Sequence, residues 1–222
     1  MHGRPPTVAD RWVAAQRARL ERTRPLTPGG DVAGERRFYR DVAGRLTPAL
    51  GPTGTVALRT RVVDAEVARA LGHGTEQVVL VGAAYDGRPL RFGGGPTRWF
   101  VADHPGRLAD ARHRLDALGI AAPGRVDVAV DLGAPREGVG EQGDGALADA
   151  LGAAAHDPAR PTLFVGEDLA LAWPLAVTAS VCTGLCTRAA RGSVLVAGFD
   201  VAPEAAGAAR AARAARGLLW TT

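Results

Sequence analysis

Four short apolar runs end in residues that could hold a ligand. Gln77–Val81 passes into Gly82-Ala83-Ala84-Tyr85-Asp86-Gly87-Arg88, where Gly82 lets the chain turn sharply and approach a bound molecule closely. Phe100-Val101-Ala102 leads into Asp103-His104-Pro105, and an acid placed there can accept hydrogen bonds from ribose hydroxyls. A third run ends Val130-Asp131-Leu132, an acid followed by an apolar side chain suited to an adenine ring. The fourth ends Val165-Gly166-Glu167-Asp168, and spacing alone does not choose between its two acids. Acids at successive strand ends leave few groups for a pyrophosphate, so the ordered set favours a nucleoside that carries a cation. Aspartates at strand ends also serve as helix caps and turn formers, a reading that stays open for Asp103 and Asp131.

Such residues meet only if a sheet brings the ends of the runs together. The β-branched texture predicts strands at Gln77–Val81, Trp99–Ala102, Arg125–Val130, Thr162–Val165 and Val194–Gly198. Helical stretches lie between them, at about Gly106–Leu118, Gly145–Ala155 and Leu175–Ala190. Alternating strands and helices with right-handed crossovers give an α/β fold, a doubly wound, mostly parallel sheet. Residues 1–75 read as an N-terminal helical cap, with helices at Ala9–Arg22, Gly34–Leu46 and Arg59–Leu71. Trp12, Val13 and Leu20 mark the apolar side of the first. After Pro203 an Ala/Arg stretch predicts a closing helix over Glu204–Leu218.

Composition narrows the chemistry. All 27 basic residues are arginine, which excludes Schiff-base lysine chemistry and a Walker-type phosphate loop. Residues 1–61 carry 12 arginines against 5 acids and the remainder 15 against 18, so a basic lobe sits on a slightly acidic body. That asymmetry suggests an anionic small molecule near the N-terminal segment. Nucleic acid is disfavoured, because no aromatic series or zinc-ligand spacing accompanies the arginines. No apolar run approaches the ~18 residues of a membrane span, and the polar first 24 residues lack a signal-peptide core, so the expected compartment is the cytoplasm. The five histidines show no ligand spacing and no metal is expected. Cys182 and Cys186, four apart, read as small packing groups, and the four tryptophans as core or interface residues.

Taken in order, the quoted segments resemble the leucine carboxyl methyltransferase-like family, a branch of the class I S-adenosylmethionine-dependent methyltransferases. The likeness rests on Arg59-Thr60-Arg61 with Asp64, Gln77–Arg88, Phe100–Pro105, Asp131-Leu132, Thr162–Glu167 and Gly192-Ser193-Val194-Leu195. It implies that S-adenosylmethionine is bound and S-adenosylhomocysteine released, with methylation of an oxygen on a small acidic or phenolic metabolite. By the same resemblance Arg59 binds the methionine carboxylate, while Gly82, Ala83 and Ala84 allow close approach and Asp86 fixes the turn. Asp103 then holds the ribose, Asp131 and Leu132 flank the adenine, and Glu167 faces the cofactor near the methyl. His104 is the nearest histidine that could act as a base for a phenol. The sequence departs from the family at Ala84, Val101 and Ala172, and residues 76–222 lack most of the usual C-terminal lid and last strands. An edge left bare in this way would stay curtailed or pair with a second copy as a homodimer. A cofactor-binding pseudoenzyme is the alternative.

Overall fold

A computed structural model describes residues 3–20, 27–46, 54–132, 145–167, 169, 173–198 and 218–221. Three helices come first: α1 (Val8–Ala18), α2 (Val32–Ala43) and α3 (Gly54–Gly72). Strands and helices then alternate through β1 (Gln77–Val81), α4 (Arg88–Arg91), β2 (Arg98–Asp103), α5 (Pro105–Ala117), β3 (Arg125–Ala129), α6 (Ala146–Ala153), β4 (Thr162–Gly166), α7 (Leu175–Cys186) and β5 (Val194–Ala197). The sheet order is β3-β2-β1-β4-β5-β6, all parallel except the last strand, β6 (Leu218–Thr221). This is the doubly wound α/β sheet that the alternation predicts.

Every residue of β1 is buried, as a strand covered on both faces requires. Val78 and Leu80 join a core with Phe38, Val42, Val63, Val67, Leu108 and Leu115, so α1–α3 and α5 cover one face. Val79 and Val81 point the other way, into a core with Leu147, Leu151, Val181 and Leu185 of α6 and α7. The register aligns Val81 with Ala102, Asp103 with Ala129, and Leu80 with Val165, which brings the carboxyl ends of β1–β4 to one edge. Chain order reverses between β1 and β4, and that crevice is where open α/β sheets bind ligands.

Several boundaries differ from expectation for local reasons. In α1 the Thr7 side chain and the Asp10 carboxylate form a reciprocal capping box, so the helix starts at Val8 and not at Ala9. Its buried face is Ala14, Ala15, Gln16, Arg17 and Ala18, small enough at three positions for close packing on Phe38, Tyr39 and Val42. Trp12, expected in the core or at an interface, is 39% exposed. Asp31 caps α2 by accepting the Gly34 N–H at 2.7 Å, starting that helix two residues early. On α7, Cys186 is exposed and Cys182 only half-buried, so neither is the fully packed group expected.

The edge of β5 is the main correction to the expected sheet. Leu218–Thr221 pairs antiparallel with it, Leu195 opposite Trp220 and Val196 opposite Leu219. Leu218, read as the end of a helix, begins a strand instead; the run Leu-Leu-Trp-Thr has the strand preference that the preceding Ala/Arg stretch masks. The rest of that predicted helix lies outside the described residues. An edge covered by its own chain no longer argues for a homodimer.

Candidate functional site

At the shared carboxyl edge lies a cavity of about 1040 Å³. Arg59, Gly82, Ala83, Asp86, Asp103, His104, Asp131, Leu132 and Glu167 all line it, so nine of the ten expected residues meet in one place. Ala84 is the exception. Its side chain is fully buried in the core beside β1, and its backbone alone serves the site, donating its N–H to Asp103 Oδ2 at 2.9 Å. Asp168, weighed against Glu167, lies outside the described residues.

The turn after β1 is built around Asp86. Oδ1 accepts the Arg88 N–H at 2.8 Å, and Oδ2 takes Arg88 Nη1 at 2.7 Å and Arg17 Nη1 at 3.3 Å. Tyr39 closes the loop by accepting the Gly87 N–H at 2.9 Å. Burial opposes ionisation of Asp86, but Arg88 and Arg17 outweigh it and hold the pKa down at about 2. Gly82 opens this turn at φ +66°, a left-handed conformation that suits glycine. The Trp173 indole rests on it, so close that a Cβ at residue 82 would lie 2.7 Å from Cη2.

Glu167 sits where β4 ends and collects three arginines. Arg88 Nη1 lies 2.5 Å from Oε1, Arg59 Nε 3.4 Å from Oε2, and Arg17 also pairs with Oε2. Arg88 and Arg91 extend the network to Asp64, and Arg91 reaches the fully buried Glu35. The ion pairs thus join all three cap helices to the sheet. Buried charges persist only when paired this way, because an unmatched one costs several kcal/mol, of order 3–5 when a partner is removed.

Asp103 is equally engaged. It accepts the N–H groups of Ala84 and of His104, the latter at 2.7 Å, and Arg107 Nε lies 3.1 Å from both of its oxygens. Arg107 then forks onto Asp10 of α1 at 2.7 and 2.8 Å. His104 is the N-cap of α5, where its Nδ1 accepts the Gly106 N–H at 3.0 Å. That bond engages the Nδ1 lone pair, while Nε2 lies 3.9 Å from Asp131 Oδ2. Asp131 is half-exposed and lines the cavity with its neighbour Leu132.

Sequence reasoning missed Asp10, Trp12, Val13, Arg17, Tyr39, Arg107 and Trp173, all of which line the same cavity. Only Arg107 left a local trace, standing four residues after Asp103 in an (i, i+4) acid–base pair. Tyr39 reaches Gly87 across 48 residues of chain, Asp10 reaches Arg107 across 97, and Arg17 reaches Asp86 and Glu167 across 69 and 150, separations no local pattern records.

Residues 32–171 match the family model described as leucine carboxyl methyltransferase. A relative from Frankia alni is 33% identical over 141 residues, 63% of this chain and 46% of its own length. Another, from Streptomyces coelicolor, is 35% identical over 122 residues, 54% of this chain and 39% of its own. Both carry the provisional name S-adenosyl-L-methionine-dependent methyltransferase, as does a third from Streptomyces avermitilis, 32% identical over 141 residues. The chain therefore spans less than half the length of the relatives it matches. The match covers α2 through β4, the elements that carry the Gly82 turn and the strand-end acids, and on that ground the chain belongs to the leucine carboxyl methyltransferase family.

Proposed function

We propose that the cavity binds S-adenosylmethionine and that the protein transfers its methyl group to an oxygen of a small acceptor. The observation that carries this reading is the convergence of Arg59, the Gly82 turn, Asp103, Asp131-Leu132 and Glu167 on one cavity at the sheet's switch point. A volume of about 1040 Å³ is at the upper end of ordinary ligand pockets and leaves room for a nucleoside together with an acceptor. Arg59 would hold the methionine carboxylate, Asp103 the ribose, and Asp131 with Leu132 the adenine. Bound there, the cofactor supplies a sulfonium methyl that an acceptor can take by in-line displacement.

The chain's own part is to align the two reactants and keep water away. Proton removal is not something the described residues around the Gly82 turn are free to do. Asp86 and Glu167 are locked to arginines, and His104 is committed as a cap. Burial and Asp110 push the Tyr85 phenol well above its usual range. An acceptor oxygen already ionised on arrival, a carboxylate or an acidic phenol, matches such a site. Attraction by a surplus of positive charge is not the reason, since Arg17, Arg59 and Arg107 each face a carboxylate within the cavity.

A second reading, a family member that binds nucleoside without methyl transfer, is favoured by the Trp173 ring seated on Gly82. Isothermal titration with S-adenosylmethionine and S-adenosylhomocysteine tests the main proposal: one-site binding is expected with both, and absence of heat at high micromolar concentration overturns it. Product S-adenosylhomocysteine accumulating with an aromatic carboxylate or phenol acceptor separates the enzyme from the second reading.

A further inference from the structure

The acid assigned to the ribose has no vacant side. Asp103 accepts two backbone N–H groups and lies in contact with the Arg107 Nε through both oxygens. A carboxylate has about four acceptor positions, so ribose hydroxyls must share it with Arg107. Arg107 in turn spends its two terminal nitrogens on Asp10 in a two-pronged pair, a geometry that fixes orientation as well as charge. The same guanidinium lies over the Tyr85 ring at 5.0 Å. Tyr85 donates to Asp110 at 2.9 Å, with the Arg4 carbonyl 3.0 Å away, and the Arg4 N–H donates to the Gly106 carbonyl at 2.7 Å. The segment leading into α1 is therefore tied down around Arg107, and α1 itself presents Trp12, Val13 and Ala14 to the cavity.

We propose that Arg107 and Asp10 are positioning residues for the nucleoside, joining the ribose carboxylate Asp103 to helix α1 so that nucleoside binding and docking of that helix form one linked equilibrium. The inference rests on the nucleoside reading above. Without Asp10, Arg107 turns its full charge onto Asp103 and competes with the ribose. With Asp10 in place, that charge is shared and Asp103 keeps its capacity as an acceptor. Linkage is reciprocal: whatever factor helix docking contributes to nucleoside affinity, bound nucleoside must return to helix docking.

Hydrogen exchange of residues 8–18, measured on the whole chain with and without saturating S-adenosylhomocysteine, tests this. In the unaltered protein the nucleoside is expected to slow exchange there by about tenfold, within the usual span of coupling. Asp10→Asn, which can still accept the capping bonds of Thr7, is expected to lower nucleoside affinity and shrink that factor toward one. Val8→Gly, at a 77% exposed position of α1 outside the cavity lining, weakens the helix without touching Asp10 or Arg107. It should speed exchange in both states and leave the ratio unchanged, which separates linkage from simple loss of helix stability. Exchange in residues 8–18 that ignores a calorimetrically confirmed nucleoside overturns the linkage, as does an equal ratio in Asp10→Asn and the unaltered protein. Failure of the nucleoside to bind at all instead removes the reading beneath it.

Discussion

At Gly82 two demands fall on one residue. The backbone takes φ +66°, and the face that lacks a side chain is the face on which Trp173 rests. Alanine there would strain the backbone and push into the indole, together costing about 2 kcal/mol or more. The expected result for Gly82→Ala is a lower midpoint of thermal unfolding and loss of nucleoside binding by titration. Retention of both would show that the turn tolerates a methyl. Ala84, two residues on, shows the opposite economy of means. Its methyl packs in the core and its N–H bonds Asp103, so this departure from the family leaves the backbone contact to the strand-end acid in place.

Among the elements, β6 has the clearest task. By pairing antiparallel with β5 it satisfies backbone groups that would otherwise line an open edge. Deleting residues 218–222 is expected to leave the α/β core folded but to promote concentration-dependent association, measurable by light scattering. A truncated chain that stays monomeric at high concentration would contradict the assigned role. The strands were the readable part of the sequence. β1 and β4 are short apolar runs buried throughout, bounded by Gly74 and Thr75 before the first and by Pro161 before the second. Helix starts were harder to read. The Thr7–Asp10 capping box and the Asp31 cap are single hydrogen-bonding residues outside the apolar period, so a reading by periodicity begins too late. The candidate site divides the same way. Asp103 and Asp131 are legible because they stand at or just past the end of a strand, and Glu167 is chosen over its neighbour Asp168 only by the family resemblance, whereas Arg17 and Asp10 come from a helix whose position over the sheet only the fold determines.

For the molecule as a whole, acid is the informative stress. His156 packs its ring against Phe100 at 5.2 Å and bonds through Nε2 to Thr162 Oγ1 at 3.0 Å, almost wholly buried. Burial first, and then Arg188, push its pKa from 6.5 down to about 4. The unfolded chain takes up this proton before the folded one does, so stability falls as pH drops from about 6.5 toward 4. Asp86 adds a second loss below that range. It is held at about 2 when folded against 3.8 otherwise, so its contribution disappears as pH falls through that interval. Denaturant midpoints are expected to be flat above about pH 6.5 and to decline steadily below it, with His156→Phe flattening the upper part of the decline. A midpoint that holds constant down to about pH 4.5 would show that His156 is protonated without penalty in the folded state.

The seat of Trp173 has a practical consequence. Trp99 is sealed in the core and Trp12 stands at the cavity wall, but the indole of residue 173 covers the turn itself. A molecule settling against Gly82 has to shift that ring or stack upon it, and either event alters its emission. The protein thus contains an intrinsic optical reporter for occupancy, readable without dye or label, and Trp173→Phe would silence it.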